Sequence, residues 1–158
     1  MLKTFIFLCA IALILAASYW VSATQRIIKP KNNKFEKWKS QEALPVELES
    51  ASLYSVEKKI SIAEPVPLYG QADQVFLTKK NRLVVVDTKT RKSHQVYDSD
   101  IAQISVYATI LRLTQEIKVA SYGYIRTVVS HGSYDSICYN KVKLMSTQAV
   151  VARAKKQL

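Results

Sequence analysis

The stretch from Gly70 to Lys89, GQADQVFLTKKNRLVVVDTK, restricts the fold more than any other part of the chain. It reads as two strands, Ala72–Leu77 and Leu83–Thr88, joined at Lys79-Lys80-Asn81. Asn tolerates positive φ, and both lysines favour water, so the junction is a hairpin turn. A hairpin centred on Lys80 pairs Asp73 with Asp87, and directly opposed residues keep their Cβ atoms about 4.5–5.5 Å apart. Strand period places Lys89 on the face of Asp87. Two carboxylates and an ammonium then converge. Opposed like charges destabilise a sheet unless something compensates them. A divalent cation held by oxygen ligands, of the kind Mg²⁺ prefers, would compensate. The plainer reading is a surface hairpin in which Lys89 pairs with Asp87. A register shift of one residue would place the two aspartates on opposite faces.

The 158 residues suffice for one domain with a modest core. The chain holds 23 basic against 12 acidic residues, a net charge of +11. Only Lys3 precedes Phe5, so the basic excess belongs to the remainder and suits a polyanion: nucleic acid or an anionic membrane face. The two cysteines, Cys9 and Cys138, cannot build a disulfide framework or a thiolate zinc site.

Phe5–Ala23 is uncharged and apolar and, as a helix, would span about 28 Å, close to the hydrocarbon thickness of a bilayer. Tyr19 and Trp20 suit an interfacial anchor. Lysines and Arg26 crowd the segment that follows, so the positive-inside rule predicts a single-pass helix in the cytoplasmic (inner) membrane with the remainder facing the cytoplasm. The rival is a signal peptide cut near Val21-Ser22-Ala23, giving a secreted or periplasmic protein. The expected organisation is an anchor over 1–25, a basic juxtamembrane linker with a short helix over 26–52, and a soluble domain over 53–158.

Within that domain, Leu53–Ile62 alternates in places and predicts an edge strand. A helix follows the hairpin, capped by Asp98 or Ser99, with Ile101, Ile104, Ala108 and Leu111 turned toward the sheet and Gln103 and Tyr107 sharing one side. Val119–Val129 and Tyr134–Leu144 predict a second hairpin, and Ser146–Leu158 a closing amphipathic helix. Tyr122, Tyr124 and Arg126 fall on one strand face, fit for packing or for stacking on nucleic acid.

Taken in order, Gly70-x-x-Asp73, Asp87-x-Lys89 and Gln103-x-x-x-Tyr107 resemble the PD-(D/E)XK nuclease superfamily, in particular its RecB-like branch, over about residues 53–145. The resemblance implies an α/β, restriction-endonuclease-like core: a mixed sheet flanked by helices, here preceded by the transmembrane helix. It also implies hydrolysis of DNA phosphodiester bonds, with RNA as a further possible substrate. Asp73 and Asp87, with the Thr88 carbonyl, would hold Mg²⁺ or Mn²⁺. Lys89 would orient the attacking water, and Gln103 with Tyr107 would contact the DNA backbone or the lysine. The alternative is a non-catalytic nucleic-acid-binding module of the same fold tethered to the membrane. The sequence departs from the family pattern in two places. The further glutamate supplied upstream has only Glu42, Glu47 and Glu49 as candidates, and no histidine precedes Asp87.

Overall fold

The turn at Lys79–Asn81 sets the register of the sheet. In the computed structural model, which describes residues 33–157, Asn81 adopts a φ of 52° and its N–H donates to the Thr78 carbonyl at 2.9 Å. Strands β2 (Leu68–Leu77) and β3 (Leu83–Arg91) leave this turn antiparallel, and Leu77 faces Leu83, Phe76 faces Val84, Val75 faces Val85 and Gln74 faces Val86. This is the register of a hairpin centred on Lys80. The ladder ends at Gln74 and Val86, one step before Asp73 and Asp87.

Three further strands complete a five-stranded sheet in sequential order: β1 (Ser52–Ile62) at one edge, then β2, β3, β4 (Tyr122–Ser130) and β5 (Asp135–Lys143). All neighbours are antiparallel except β3 and β4. A parallel pair needs a crossover, and here a helix supplies it. The helices are α1 (Asn33–Gln41), the short α2 (Val46–Glu49), the crossover α3 (Asp98–Thr114) and the closing α4 (Thr147–Lys155).

Strand alternation sorts the side chains into two cores. Val85, Ile125 and Val75 pack with Ile104 and Ala108 beneath α3. Val84, Val86 and Phe76 pack on the other face against Phe35, Leu44 and Leu48 of the α1–α2 segment. From Lys34 onward the chain is one compact unit, so the second half of the stretch expected as a linker over 26–52 belongs to the fold. The apolar content of that stretch explains this: Phe35, Leu44, Leu48 and Ala51 are buried. The expected membrane span, Phe5–Ala23, lies outside the described residues, and among those described no helix is long and apolar enough to cross a membrane.

Alternation fails at one place. Ala72 and Val75, three residues apart, both pack under α3, whereas regular alternation would put them on opposite faces. Asp73 lies between them and is paired in neither ladder; across from it on β1, Glu57 has a φ of 47°. The strand therefore turns over at Asp73, and its carboxylate enters the space where β2 and β3 separate.

Candidate active site

Asp73 uses that gap. Its Oδ2 accepts a hydrogen bond of 2.7 Å from the Thr88 backbone N–H, so on the β2 side the carboxylate stands in for a ladder partner, while on the other side Thr88 pairs with Arg126 of β4. Thr88 thus contributes its amide to orienting Asp73. Asp87, next along β3, points under α3 and is only 2% exposed. Burial raises its pKa; Lys89 works against the shift, and the neighbouring carboxylates of Asp73 and Asp100 add to it. The Lys89 Nζ lies 2.8 Å from Asp87 Oδ2. That contact is an ion pair set off the hydrogen-bond axis, because the buried Oδ2 keeps no aligned donor.

Lys89 is held on both sides. Its Nζ also donates to Gln103 Oε1 at 2.8 Å, and the Gln103 Nε2 donates to the Tyr107 hydroxyl at 2.5 Å. The four-residue spacing puts Gln103 and Tyr107 on one stripe of α3, which crosses β2 and β3. Close approach of helix and sheet depends on two glycines. A Cβ on Gly70 would lie 2.3 Å from Tyr107 Cε1, and one on Gly123 would lie 2.8 Å from both Ile104 Cδ1 and the Val85 carbonyl. Gly70 therefore seats the Tyr107 ring. All six residues singled out in the sequence (Asp73, Asp87, Thr88, Lys89, Gln103 and Tyr107) lie on this continuous path.

Two residues not singled out for the site hold it in place. Arg91 forks onto Asp100, Nη1 to Oδ2 at 2.8 Å and Nη2 to Oδ1 at 2.6 Å, and the Tyr97 N–H donates to Asp100 Oδ2 at 2.9 Å. Burial works to raise the Asp100 pKa, yet the bonds from Arg91 and Tyr97 outweigh it and hold the carboxyl below its usual range. The expected caps, Asp98 or Ser99, are instead the first two residues of the helix; Tyr97 takes the N-cap position, and Asp100 reaches back to its amide. The pair fixes the β3–α3 connection so that Lys89 meets Gln103. Its sequence signal was strand period two: Arg91 shares the face of Asp87 and Lys89.

The upstream glutamates lie elsewhere. Glu42 accepts from Arg126 (2.5 Å and 3.1 Å) and from the Tyr139 hydroxyl (2.9 Å), and Glu47 accepts from Lys141 (2.7 Å) and from the hydroxyls of Tyr122 and Tyr124. These partners stand on the α1–α2 face, opposite α3, because Tyr124 packs with Leu48 and Phe35. Glu49 is exposed on α2. None of the three joins Asp73 and Asp87. Tyr122, Tyr124 and Arg126 are likewise spent on packing and ion pairing.

The donor set fits a hard divalent cation. It offers only oxygen, it carries two carboxylates, and it includes a buried carboxylate oxygen without an aligned donor. Among the described residues no group of three or more His, Cys, Asp and Glu gathers as a cage. A cation here would complete its shell with a backbone carbonyl, water and substrate oxygens, as Mg²⁺ commonly does.

The family model of the PD-(D/E)XK nuclease superfamily matches residues 8–156. The chain belongs to the PD-(D/E)XK nuclease superfamily. Members are usually nucleases and generally use divalent metals such as Mg²⁺. The α/β fold, with its mixed five-stranded sheet flanked by helices, is consistent with a restriction-endonuclease-like core. A solved structure, "Crystal structure of SSO0001", is similar with a TM-score of 0.41 at 15% identity, covering 67% of this chain and 46% of that one. The chain thus spans under half the length of that structure. No curated protein matches.

Proposed function

We propose that this PD-(D/E)XK chain is a metal-dependent DNA nuclease of the RecB-like branch, anchored in the cytoplasmic membrane by Phe5–Ala23 with its catalytic domain toward the cytoplasm. One observation carries the catalytic part: Asp73 takes the amide of Thr88, next to Asp87, where the β2–β3 ladder opens, and Lys89 is fixed between Asp87 and Gln103. The anchor rests on the apolar run and the basic residues that follow it.

Asp73, Asp87 and the Thr88 carbonyl would hold Mg²⁺ or Mn²⁺. When bound, such an ion would supply a water of lowered pKa and would neutralise charge on the phosphate. Lys89 presents an ammonium beside the reacting phosphate, where it orients the attacking water and stabilises charge that develops on oxygen. Gln103 accepts from Lys89 and donates to Tyr107, so it sets the direction of the ammonium. Arg91 with Asp100 keeps the start of α3 in place for that contact.

The full-length chain should cut DNA when Mn²⁺ or Mg²⁺ is supplied. Asp87→Ala and Lys89→Ala should each lower the rate by about 100-fold or more. Cleavage that both variants retain would sink the proposal.

A second reading has its own observation. Glu42 and Glu47 are consumed by the opposite face, leaving two carboxylates at the site. In that reading the module binds nucleic acid at the membrane without cutting it. Salt-sensitive DNA binding by the wild-type chain, with no metal-dependent cleavage, would favour it.

A further inference from the structure

Gln103 belongs to two environments. On one side it accepts from Lys89; on the other it lines a groove of 310 Å³ between α3 and α4. The groove is built from two helical stripes. Ala102, Gln103 and Val106 face it from α3, and Val150 and Arg153 from α4, with Met145 from the segment before α4. Spacings of three and four explain why these residues share a face. Val150 is buried and seats α4 against Ile110 and Leu68, which turns Arg153, one helical step on, toward the groove.

The chemistry of the groove is mixed. Ala102, Val106 and Met145 give it an apolar lining, Gln103 gives an amide, and Arg153 is an exposed guanidinium at its edge. Lys155 and Lys156 follow Arg153 on the same basic terminus. An apolar slot with a cation at its rim fits one unstacked base together with its phosphate. Its volume lies at the low end of the range for small-ligand pockets, about 300–1,000 Å³. A base can enter such a slot only when it is unpaired.

We infer that the α3–α4 groove takes a nucleotide of a single-stranded DNA substrate flanking the scissile phosphate, its base against Ala102, Val106 and Met145 and its phosphate on Arg153. The placement rests on the nuclease reading of Asp73, Asp87 and Lys89, and it deepens that reading by assigning the strand a path past Gln103. Because Gln103 also orients Lys89, an occupied groove is coupled to the ammonium at the reaction centre. Arg153 is then a substrate-positioning residue.

The test uses the full-length chain and a short fluorescein-labelled single-stranded oligonucleotide, with EDTA present so that binding is read without cutting. Arg153→Ala should weaken binding by about fivefold, and the slope of log affinity against log salt should fall by about 0.7, the value for one phosphate contact on a single strand. Lys80→Ala, the same charge change at the β2–β3 turn, should alter affinity less than about twofold. In cleavage assays with Mn²⁺, Arg153→Ala should raise KM and leave kcat near the wild-type value. An oligonucleotide carrying 5-iododeoxyuridine should crosslink within residues 98–114 or 145–157. Equal binding by Arg153→Ala and wild type, or crosslinks confined to other segments, would overturn the groove and leave the nuclease reading standing. A wild-type chain that neither binds nor cuts would overturn both.

Discussion

The two faces of the sheet treat their carboxylates in opposite ways. On the α1–α2 face, Glu42 and Glu47 are saturated: Arg126, Tyr139, Lys141, Tyr122 and Tyr124 donate to them. Burial alone would raise the Glu47 pKa, but the bonds from Lys141, Tyr122 and Tyr124 prevail and hold it at about 2. The Tyr122 hydroxyl, partly buried and donating to Glu47, is pushed up to about 12. On the α3 face, Asp87 is more deeply buried, yet its Oδ2 has only an off-axis ammonium and its pKa moves up. Carboxylates with a full set of donors hold elements together. A buried carboxylate left short of donors is one that a bound cation would satisfy.

The largest effect that would break this contrast belongs to the saturated face. Glu42→Ala leaves Arg126, whose side chain is 14% exposed, as a largely buried cation without its carboxylate, and should cost about 3 kcal/mol in denaturant unfolding. A loss below about 1 kcal/mol would mean that the pair does not hold α1–α2 to the sheet. Next comes Gly70→Ala. The added methyl meets the Tyr107 ring, so stability should fall by about 1–3 kcal/mol and cleavage should fall as Gln103 loses its partner. Unchanged activity would show that Tyr107 does not position Gln103.

The smallest effect is also the sharpest, because its sign differs between the faces. The folded-state pKa of Asp87 lies above its unfolded value, so ionising it penalises the fold at neutral pH, and the penalty disappears below about 3.9. Asp87→Asn should therefore stabilise the chain by about 1 kcal/mol at neutral pH, with the gain closing as pH falls toward the carboxylate range. Glu47, lowered from 4.5 to about 2, contributes stability that is present above 4.5 and lost as pH falls toward 2. Glu47→Gln should destabilise at neutral pH, and that loss should shrink in acid. Unfolding curves of both variants across this range check the pair, and shifts of the same sign would erase the distinction between the faces.

Much of the α3 face was legible in the sequence, because its logic is local. Turn chemistry at Lys79–Asn81 sets the register, strand period aligns Asp87 with Lys89, and helical period aligns Gln103 with Tyr107. The turn-over of β2 at Asp73 was not legible, since it coincides with the positive φ of Glu57 on the neighbouring strand and with the opening of two ladders together, neither of which a spacing rule shows. The roles of Glu42 and Glu47 were hidden for a similar reason. Their partners lie on β4 and β5, about eighty residues or more downstream for most of them, and no spacing rule reaches that far. The linker expected over 26–52 gave Phe35, Leu44 and Leu48 no place in the core, because they are scattered among polar residues and gain that meaning only against Phe76 and Val84.

The central claim is that the deficit of donors at Asp87 is kept for a divalent cation. Thermal unfolding of the full-length chain with rising Mn²⁺ tests it without any substrate. The wild-type Tm should climb with concentration, by the equivalent of about 2.7 kcal/mol when Mn²⁺ reaches a hundred times its Kd, and the Asp73→Ala/Asp87→Ala chain should show no such rise. An equal rise in both chains, or none in either, would contradict the account.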